Sequence, residues 1–131
     1  AIQEDSNSFD GVMAAFKLPK ETEEDKAKRR KAIDDATVIA AKVPLKTAEP
    51  VAQLFPTLEF VAANGNKNAM SDIAVATMLA RTAVFGALYN VRINLAGLPD
   101  SDFKTETYQK VTALHETAET KEKHILSLIV L

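Results

Sequence analysis

The sequence of 131 residues contains no Cys and no Trp, and it has only 4 Gly. Without Cys the chain has neither a disulfide framework nor a thiolate metal site, which suits the reducing cytoplasm where we expect it to act. Scarce Gly provides few tight hairpin turns, whereas 21 Ala favour closely packed helices over sheets. A formal net charge of -2 predicts no general affinity for nucleic acid or for an anionic membrane surface.

Long uninterrupted apolar runs are also missing, because Arg81 and Arg92 divide the most hydrophobic region. We therefore expect no membrane span. Hydrophobic residues make up 47% and charged residues 26%, as in ordinary globular proteins, and a chain of this length buries roughly two-thirds of its unfolded surface. We expect one domain over residues 1–131. Its first residues, 1–5, lack an initiator Met and a targeting pattern, which suggests that the chain begins inside a longer sequence.

Proline and glycine divide the chain into pieces of helical length, and no alternation typical of strands competes with them. Apolar spacing predicts helices over 2–17, 23–42, 69–95 and from about 100 to 131, with a bent or broken helix over 45–63. Thr22 is the expected N-cap of the second helix, and Asp100 or Ser101 that of the last. The predicted fold is all-α, an up-and-down bundle of four or five helices.

The predicted helix over 69–95 is apolar nearly all round. Such a pattern is typical of a helix that is buried on every side. The other helices are too few and too short to surround it, which implies either a second subunit or a missing part of the chain, and we expect a homodimer.

Charged residues are concentrated between Lys17 and Asp35, where seven basic and six acidic side chains alternate. Pairs such as Glu24 with Lys28 and Asp25 with Arg29 have the i,i+4 spacing of a solvated helix face. The basic members could instead hold an anionic ligand tail, but the interleaved acids favour the solvated face.

Motifs for metal, nucleotide or nucleophilic chemistry are missing. His115 and His124 lie nine residues apart and so on opposite faces of one helix, which excludes a shared metal site. The sequence has no G-x-S-x-G elbow, no dinucleotide fingerprint and no P-loop. We expect no bound metal.

Polar residues on the most apolar helix are the candidate site. Buried polar groups cost free energy unless they are paired, so their presence there needs an explanation. Asn68 or Ser71 could cap the helix and Asp72 could interact with its dipole, and this structural interpretation stays open beside a functional one. The polar set comprises Asn68, Ser71, Asp72, Arg81, Asn90, Arg92 and Asn94.

Helical spacing constrains how these residues can cooperate. Asp72 and Asn90 differ by eighteen residues, or five turns, so they share a face but stand about 27 Å apart along the axis. One pocket could use both only if an antiparallel helix of a second subunit contributed one of them. Asn90 and Asn94, at i and i+4, can interact directly.

Two segments carry a family resemblance. Residues 65–72 read Gly-Asn-Lys-Asn-Ala-Met-Ser-Asp, and residues 90–95 read Asn-Val-Arg-Ile-Asn-Leu. With them the chain resembles the cyclodeaminase/cyclohydrolase family, which acts on one-carbon folates. The resemblance extends over essentially the whole chain, and supporting positions in the same order are Glu4-Asp5-Ser6, Phe9, Leu18-Pro19-Lys20, Pro44-Leu45, Val75-Ala76 and Ala87.

The resemblance implies hydrolysis of 5,10-methenyltetrahydrofolate to 10-formyltetrahydrofolate by a dimeric helical protein, with no cofactor besides the folate. Asp72 is then the first candidate for the catalytic carboxylate and Asp5 the second, since hydrolysis needs a base, an acid and a negative group near a cationic carbon. The remaining candidates would bind the substrate: Asn90 and Asn94 at the pterin edge, Ser71 and Asn68 as further donors, and Lys20 or Lys67 at the glutamate tail.

Two alternatives remain open at the level of sequence. A formiminotetrahydrofolate cyclodeaminase, which releases ammonia, would need similar groups. A folate-binding or dimerisation module without catalysis would fit a chain that lacks the glycine-rich N-terminal region usual in the family. The sequence has no motif of that kind.

Overall fold

The computed structural model describes residues 2–130, and regular structure there is entirely helical. The helices are α1 (Ile2–Phe16), α2 (Glu23–Ala52), α3 (Phe55–Asn64), α4 (Met70–Ala96) and α5 (Asp102–Leu128), with a 3-10 turn at Lys67–Ala69. Successive packing joins α1 to α2, α2 to α4 and α4 to α5, while α3 lies against α4 and α5. The predicted all-α bundle is confirmed.

Helix α2 corrects the predicted boundaries. It does not stop near residue 42 but runs to Ala52, with Pro44 and Pro50 inside it. The break comes at residues 53–54, and Pro56 lies in the first turn of α3, where a missing N–H costs nothing. Packing against α1 and α4 holds the proline-containing part of α2 helical against its local propensity.

Caps explain where the helices begin. Thr22 and Asp25 form a capping box at the start of α2, and Ser101 accepts the N–H of Lys104 at the start of α5, both as expected. The expected caps of α4 are wrong. Its N-cap is Ala69, without a side-chain bond, and the preceding turn is capped by Asn66.

The charge run forms the predicted solvated face only in part. Lys28 pairs with Glu24 at 2.6 Å, as expected. Arg29 does not pair with Asp25, which is engaged in the capping box. It donates instead to the carbonyl oxygen of Phe16 through two nitrogens at 3.1 Å, and its guanidinium stacks over the Phe16 ring. Arg29 thereby ties the end of α1 to α2.

Helix α4 forms the spine of the core on one face only. Its buried residues recur every three or four positions and contact apolar residues of α2, α3 and α5. They are Met70, Ile73, Thr77, Ala80, Val84, Leu88, Val91 and Leu95. The helices of the single chain thus leave part of α4 uncovered, as the sequence predicted.

The opposite face of α4 is apolar and exposed. Leu79 is 63% exposed, Tyr89 61% and Ile93 74%. Of the described residues, Lys67–Ala96 alone is long and apolar enough to cross a membrane, yet the core helix of a soluble protein meets the same criterion. The absence of a membrane span stays a prediction.

Candidate active site between α1, α2 and α4

Two adjoining depressions open where the first half of α1 and the middle of α2 meet the C-terminal half of α4. They have volumes of about 390 and 370 Å³, and Asp5 and Asn90 line both of them. Each volume lies in the range of small-molecule sites. Because the two depressions share these walls, we treat them as one groove, called the α1–α4 groove below.

Helix α1 brings Asp5 to the groove. Lys46 of α2 lies 3.5 Å from the carboxylate of Glu4, and Ser8, which is buried, donates its hydroxyl to the carbonyl oxygen of Asp5. The Asp5 carboxylate itself makes no ion pair or hydrogen bond with residues 2–130 and is open to solvent. An uncommitted carboxylate in a groove is available to a ligand or a water molecule.

Small residues keep the groove open between the helices. Gly86 stands in the middle of α4, where glycine weakens a helix, and a Cβ added there would meet no atom within 4 Å. Ala83 and Ala87 lie beside it, and Pro44 and Thr47 form the α2 wall. Phe9 and Ile93, both exposed, form an apolar rim at the second depression.

The two asparagines meet as their spacing predicted. The Nδ2 of Asn94 donates to the Oδ1 of Asn90 at 3.1 Å and to its carbonyl oxygen at 2.9 Å. Asn94 also reaches the carbonyl oxygen of Ala40 in α2, at 3.4 Å. The structure thus brings Asp5, Asn90 and Asn94 together in one groove.

The remaining site candidates lie elsewhere. Asn68, Ser71, Asp72 and Lys67 are exposed around the start of α4, about 27 Å along the helix axis from Asn90. Asp72 occupies the first turn, where a carboxylate favours the helix dipole, so both its structural and functional interpretations persist. Lys20 is exposed in the connection between α1 and α2 and does not line the groove.

Polar groups on the other flank of α4 are paired with one another. Arg81 forms an ion pair with Glu122 of α5 at 3.3 Å and covers the ring of Phe85, which also stacks with His115 at 4.2 Å. The Nε of Arg81 is buried and makes no hydrogen bond within residues 2–130. Arg81 is therefore structural. The second histidine, His124, contacts Glu59 instead, so the two histidines have different neighbours.

Glu59 of α3 is the centre of this flank. One of its carboxylate oxygens accepts a hydrogen bond from Lys121 at 2.5 Å, and the other lies 3.1 Å from the Nε2 of His124, so these contacts join α3 to α5. The hydrogen bond from Lys121 is the main cause that lowers the pKa of Glu59. Among residues 2–130 no group of three or more His, Asp or Glu side chains is arranged to hold a metal ion.

Sequence analysis missed the α2 side of the groove. The predicted helix bounds leave Pro44 between two helices, yet it lies inside α2 and lines the groove. The sequence did contain a signal for this wall. A proline inside a continuous helix leaves the carbonyl oxygen four residues before it without its usual donor. Gly86, in the middle of a predicted helix, was a second such signal.

Comparison with known proteins shows which family this chain belongs to. The statistical model of the family described as formiminotransferase-cyclodeaminase matches residues 1–113. The chain belongs to the formiminotransferase-cyclodeaminase family.

Individual members of the formiminotransferase-cyclodeaminase family agree with this assignment. Formimidoyltransferase-cyclodeaminase of Sus scrofa is 39% identical over 125 residues, which cover 95% of this chain and 23% of that protein. Methenyltetrahydrofolate cyclohydrolase of Methylorubrum extorquens is 37% identical over 113 residues, 86% of this chain and 54% of the relative. The chain therefore spans about a quarter to a half of the length of these relatives.

The fold is shared with a solved member of the family. The crystal structure of formiminotetrahydrofolate cyclodeaminase from Thermotoga maritima matches with a TM-score of 0.81 at 25% identity. The match covers 97% of this chain and 59% of that one. The helical arrangement that forms the groove is thus a property of the family fold.

Proposed function

We propose that the chain is a one-carbon folate enzyme that hydrolyses 5,10-methenyltetrahydrofolate to 10-formyltetrahydrofolate, with no cofactor besides the folate. The observation that carries the proposal is the free Asp5 carboxylate beside the Asn90 carboxamide in a groove of ligand size. Relatives named cyclohydrolase and cyclodeaminase support this reaction class.

The substrate carbon between N5 and N10 is cationic, so a nearby carboxylate favours its binding. A base removes a proton from water as the water oxygen bonds to this carbon. The hydroxyl of the adduct then loses its proton as the bond from the carbon to N5 breaks. N5 takes up one of the two water protons, the other is released to solvent, and the formyl group stays on N10. In this proposal Asp5 accepts the water proton, and the asparagine pair holds the pterin edge.

Asp72 has a role in the same chemistry only across a subunit interface. The exposed face of α4 carries an apolar stripe at spacings of four and three residues, the pattern by which two helices pack. Its members are Val75, Leu79, Thr82, Gly86, Tyr89 and Ile93. Gly86 and Ile93 also line the groove, so the partner helix would form part of the groove wall. Two copies packed antiparallel and centred near Thr82 would place the partner's Asp72 level with Asn90. We therefore propose a homodimer with one site at each end of the α4 pair.

The activity is tested by mixing the purified chain with 5,10-methenyltetrahydrofolate and following the loss of its absorbance. We expect loss well above the buffer rate, and Asp5→Asn should reduce it by about a hundredfold or more without changing the thermal midpoint. Asp10→Asn, an exposed change on the same helix, is the matched control. A folded dimer that does not accelerate the reaction would contradict catalysis, and retained folate binding would then indicate a binding module.

The shared site is tested by mixing two inactive variants. Asp5→Asn and Asp72→Asn chains, unfolded together and refolded, should regain about a quarter of the wild-type activity, because random pairing gives mixed dimers half of the population and each has one intact site. No recovery would show that both carboxylates belong to one chain's site or that Asp72 acts only as a structural residue. Loss of folding in Asp72→Asn would favour the latter.

Cyclodeamination is the second candidate, since the structural neighbour from Thermotoga maritima is named for it. The same groove would then hold a 5-formimino group, N10 would attack its carbon, and ammonia would leave. An ammonia assay with 5-formiminotetrahydrofolate separates the two reactions. Release of ammonia faster than loss of the methenyl absorbance would favour the cyclodeaminase.

A further inference from the structure

The position of Pro44 leaves one backbone oxygen of α2 without its usual partner. In a continuous helix the carbonyl oxygen of residue 40 accepts the N–H of residue 44, and proline has no N–H. Ala40 is buried, so an unpaired carbonyl oxygen there would cost free energy. The Nδ2 of Asn94 in α4 fills that position at 3.4 Å.

This contact fixes the orientation of the Asn94 carboxamide. Its Nδ2 faces three oxygen atoms: the carbonyl oxygens of Ala40 and Asn90 and the Oδ1 of Asn90. If the carboxamide were turned over, its own oxygen would face two backbone carbonyl oxygens that cannot donate. The nitrogen of Asn94 is therefore held toward Asn90.

The carboxamide of Asn94 in turn orients the carboxamide of Asn90. Because the Oδ1 of Asn90 accepts from Asn94, the oxygen end of its carboxamide is engaged within α4. Its Nδ2 donates to no group in residues 2–130. We propose that Asn94, held by the carbonyl oxygen that Pro44 frees, is a positioning residue that presents the Nδ2 of Asn90 to the groove as a hydrogen-bond donor beside the Asp5 carboxylate.

The arrangement names the part of the ligand that fits, and this step rests on the proposed function. An oriented donor at Asn90 complements a carbonyl oxygen on the edge of a ring, while the Asp5 carboxylate stays available for the cationic carbon. The pterin ring of a folate has such an edge. A site built in this way disfavours analogues that lack this carbonyl oxygen, because the bound ligand would then leave the Asn90 donor unpaired.

The kinetic constants of single and double variants test the positioning role of Asn94. Asn90→Ala and Asn94→Ala should each raise KM by about two- to tenfold, and the double variant should be no worse than Asn90→Ala alone, since Asn94 acts only through Asn90. Multiplied effects in the double variant would overturn the proposal. This test needs turnover. If the wild-type chain has no activity, the proposed function is contradicted, and the positioning role of Asn94 is tested by the NMR experiment below.

The two interior prolines of α2 provide a second test, in which Pro44→Ala is the test variant and Pro50→Ala is its control. Pro44→Ala supplies an N–H to Ala40, so Asn94 loses its contact with α2 and keeps only its contacts with Asn90. We expect KM to rise while the urea midpoint holds or rises. Pro50→Ala, which is exposed and frees the carbonyl of residue 46 instead, should leave KM unchanged. An unchanged KM in Pro44→Ala, or an equal rise in both variants, would overturn the proposal.

A spectroscopic arm does not depend on any substrate. In NMR spectra of the ligand-free chain, the side-chain NH₂ group of Asn90 should give one sharp pair of signals, because its orientation is fixed. In Asn94→Ala and in Pro44→Ala these signals should broaden or double, and in Pro50→Ala they should not. Unchanged Asn90 signals in Asn94→Ala would overturn the positioning role of Asn94 whether or not the chain turns over folate.

Discussion

The two flanks of α4 treat their polar side chains in opposite ways. Toward α3 and α5, the polar groups are paired: Arg81 with Glu122, and Glu59 with both Lys121 and His124. Toward α1 and α2, the carboxylate of Asp5 and the Nδ2 of Asn90 have no partner in the described chain and face a groove. Paired groups fix one helix against another, whereas unpaired groups are available to a ligand.

The difference corresponds to how closely the helices approach. On the α5 flank the apolar core continues to the helix surface through residues such as Phe85 and Leu114, and the ion pairs lie around it. On the α1 flank only Ser8 and Ala15 of α1 are buried, so α1 lies against α2 and leaves space beside α4. Stability and ligand binding should therefore respond to changes on different flanks.

The largest effect on the free energy of unfolding is expected from the buried face of α4, which both flanks share. Leu88 is 1% exposed on α4, and Leu88→Ala should lower the free energy of unfolding by about 2–5 kcal/mol because it leaves a cavity. Leu79→Ala, the same change on the exposed face, should cost less than about 1 kcal/mol in dilute monomer. Urea unfolding measures both. Equal losses would mean that the outer face is packed even in the monomer.

Breaking the pairing on the α5 flank should lower stability without affecting the ligand. Arg81→Gln removes the ion pair with Glu122 and the stack over Phe85, and we expect a loss of about 1 kcal/mol after solvent screening of these half-exposed groups. Folate binding should be unchanged. Weaker binding at unchanged stability would show that this flank, too, faces ligand.

Filling the groove should have the opposite effect: folding should be retained while folate binding weakens. Gly86→Ala should stabilise the chain by about 0.5–1 kcal/mol, since alanine favours helix and its Cβ meets no atom. Gly86→Leu should fold as well but weaken folate binding about tenfold or more, because its side chain occupies the groove. Gly11→Ala, also in open space on α1, controls for the helical gain alone. Unimpaired binding in Gly86→Leu would place the ligand elsewhere.

Local signals predicted much of this organisation. The helical class, the caps Thr22 and Ser101, and the contact between Asn90 and Asn94 follow from spacing over a few residues, which a single sequence contains. The course of α2 through Pro44 did not, because packing against two other helices overrides the local cost of an interior proline. The groove depends on how α1 is placed beside α4, a long-range property that periodicity does not encode.

The candidate residues divide for the same reason. Asp5 and Asn90 were both named from the sequence, but their proximity depends on tertiary packing. Asp72 lies five turns from Asn90 on one straight helix, so the distance that the spacing predicted is retained within the chain. Only a second subunit can change it.

The smallest effect concerns the pH dependence of the α5 flank. Lys121 lowers the pKa of Glu59 through a hydrogen bond, so the charged form is favoured by folding. This contribution is fully present above the carboxyl's pKa in the unfolded chain, about 4.3, and is lost as pH falls through the lower folded value. Glu59→Gln should therefore reduce the urea midpoint at pH 7, and the difference from wild type should shrink below about pH 4.3. Glu116→Gln on the exposed face of α5 should show no such convergence, because Glu116 makes no ion pair in the described chain. A difference that stays constant from pH 7 to pH 3 would mean that Glu59 acts by packing, and the contrast between the charged α5 flank and the uncommitted groove would then rest on Arg81 alone.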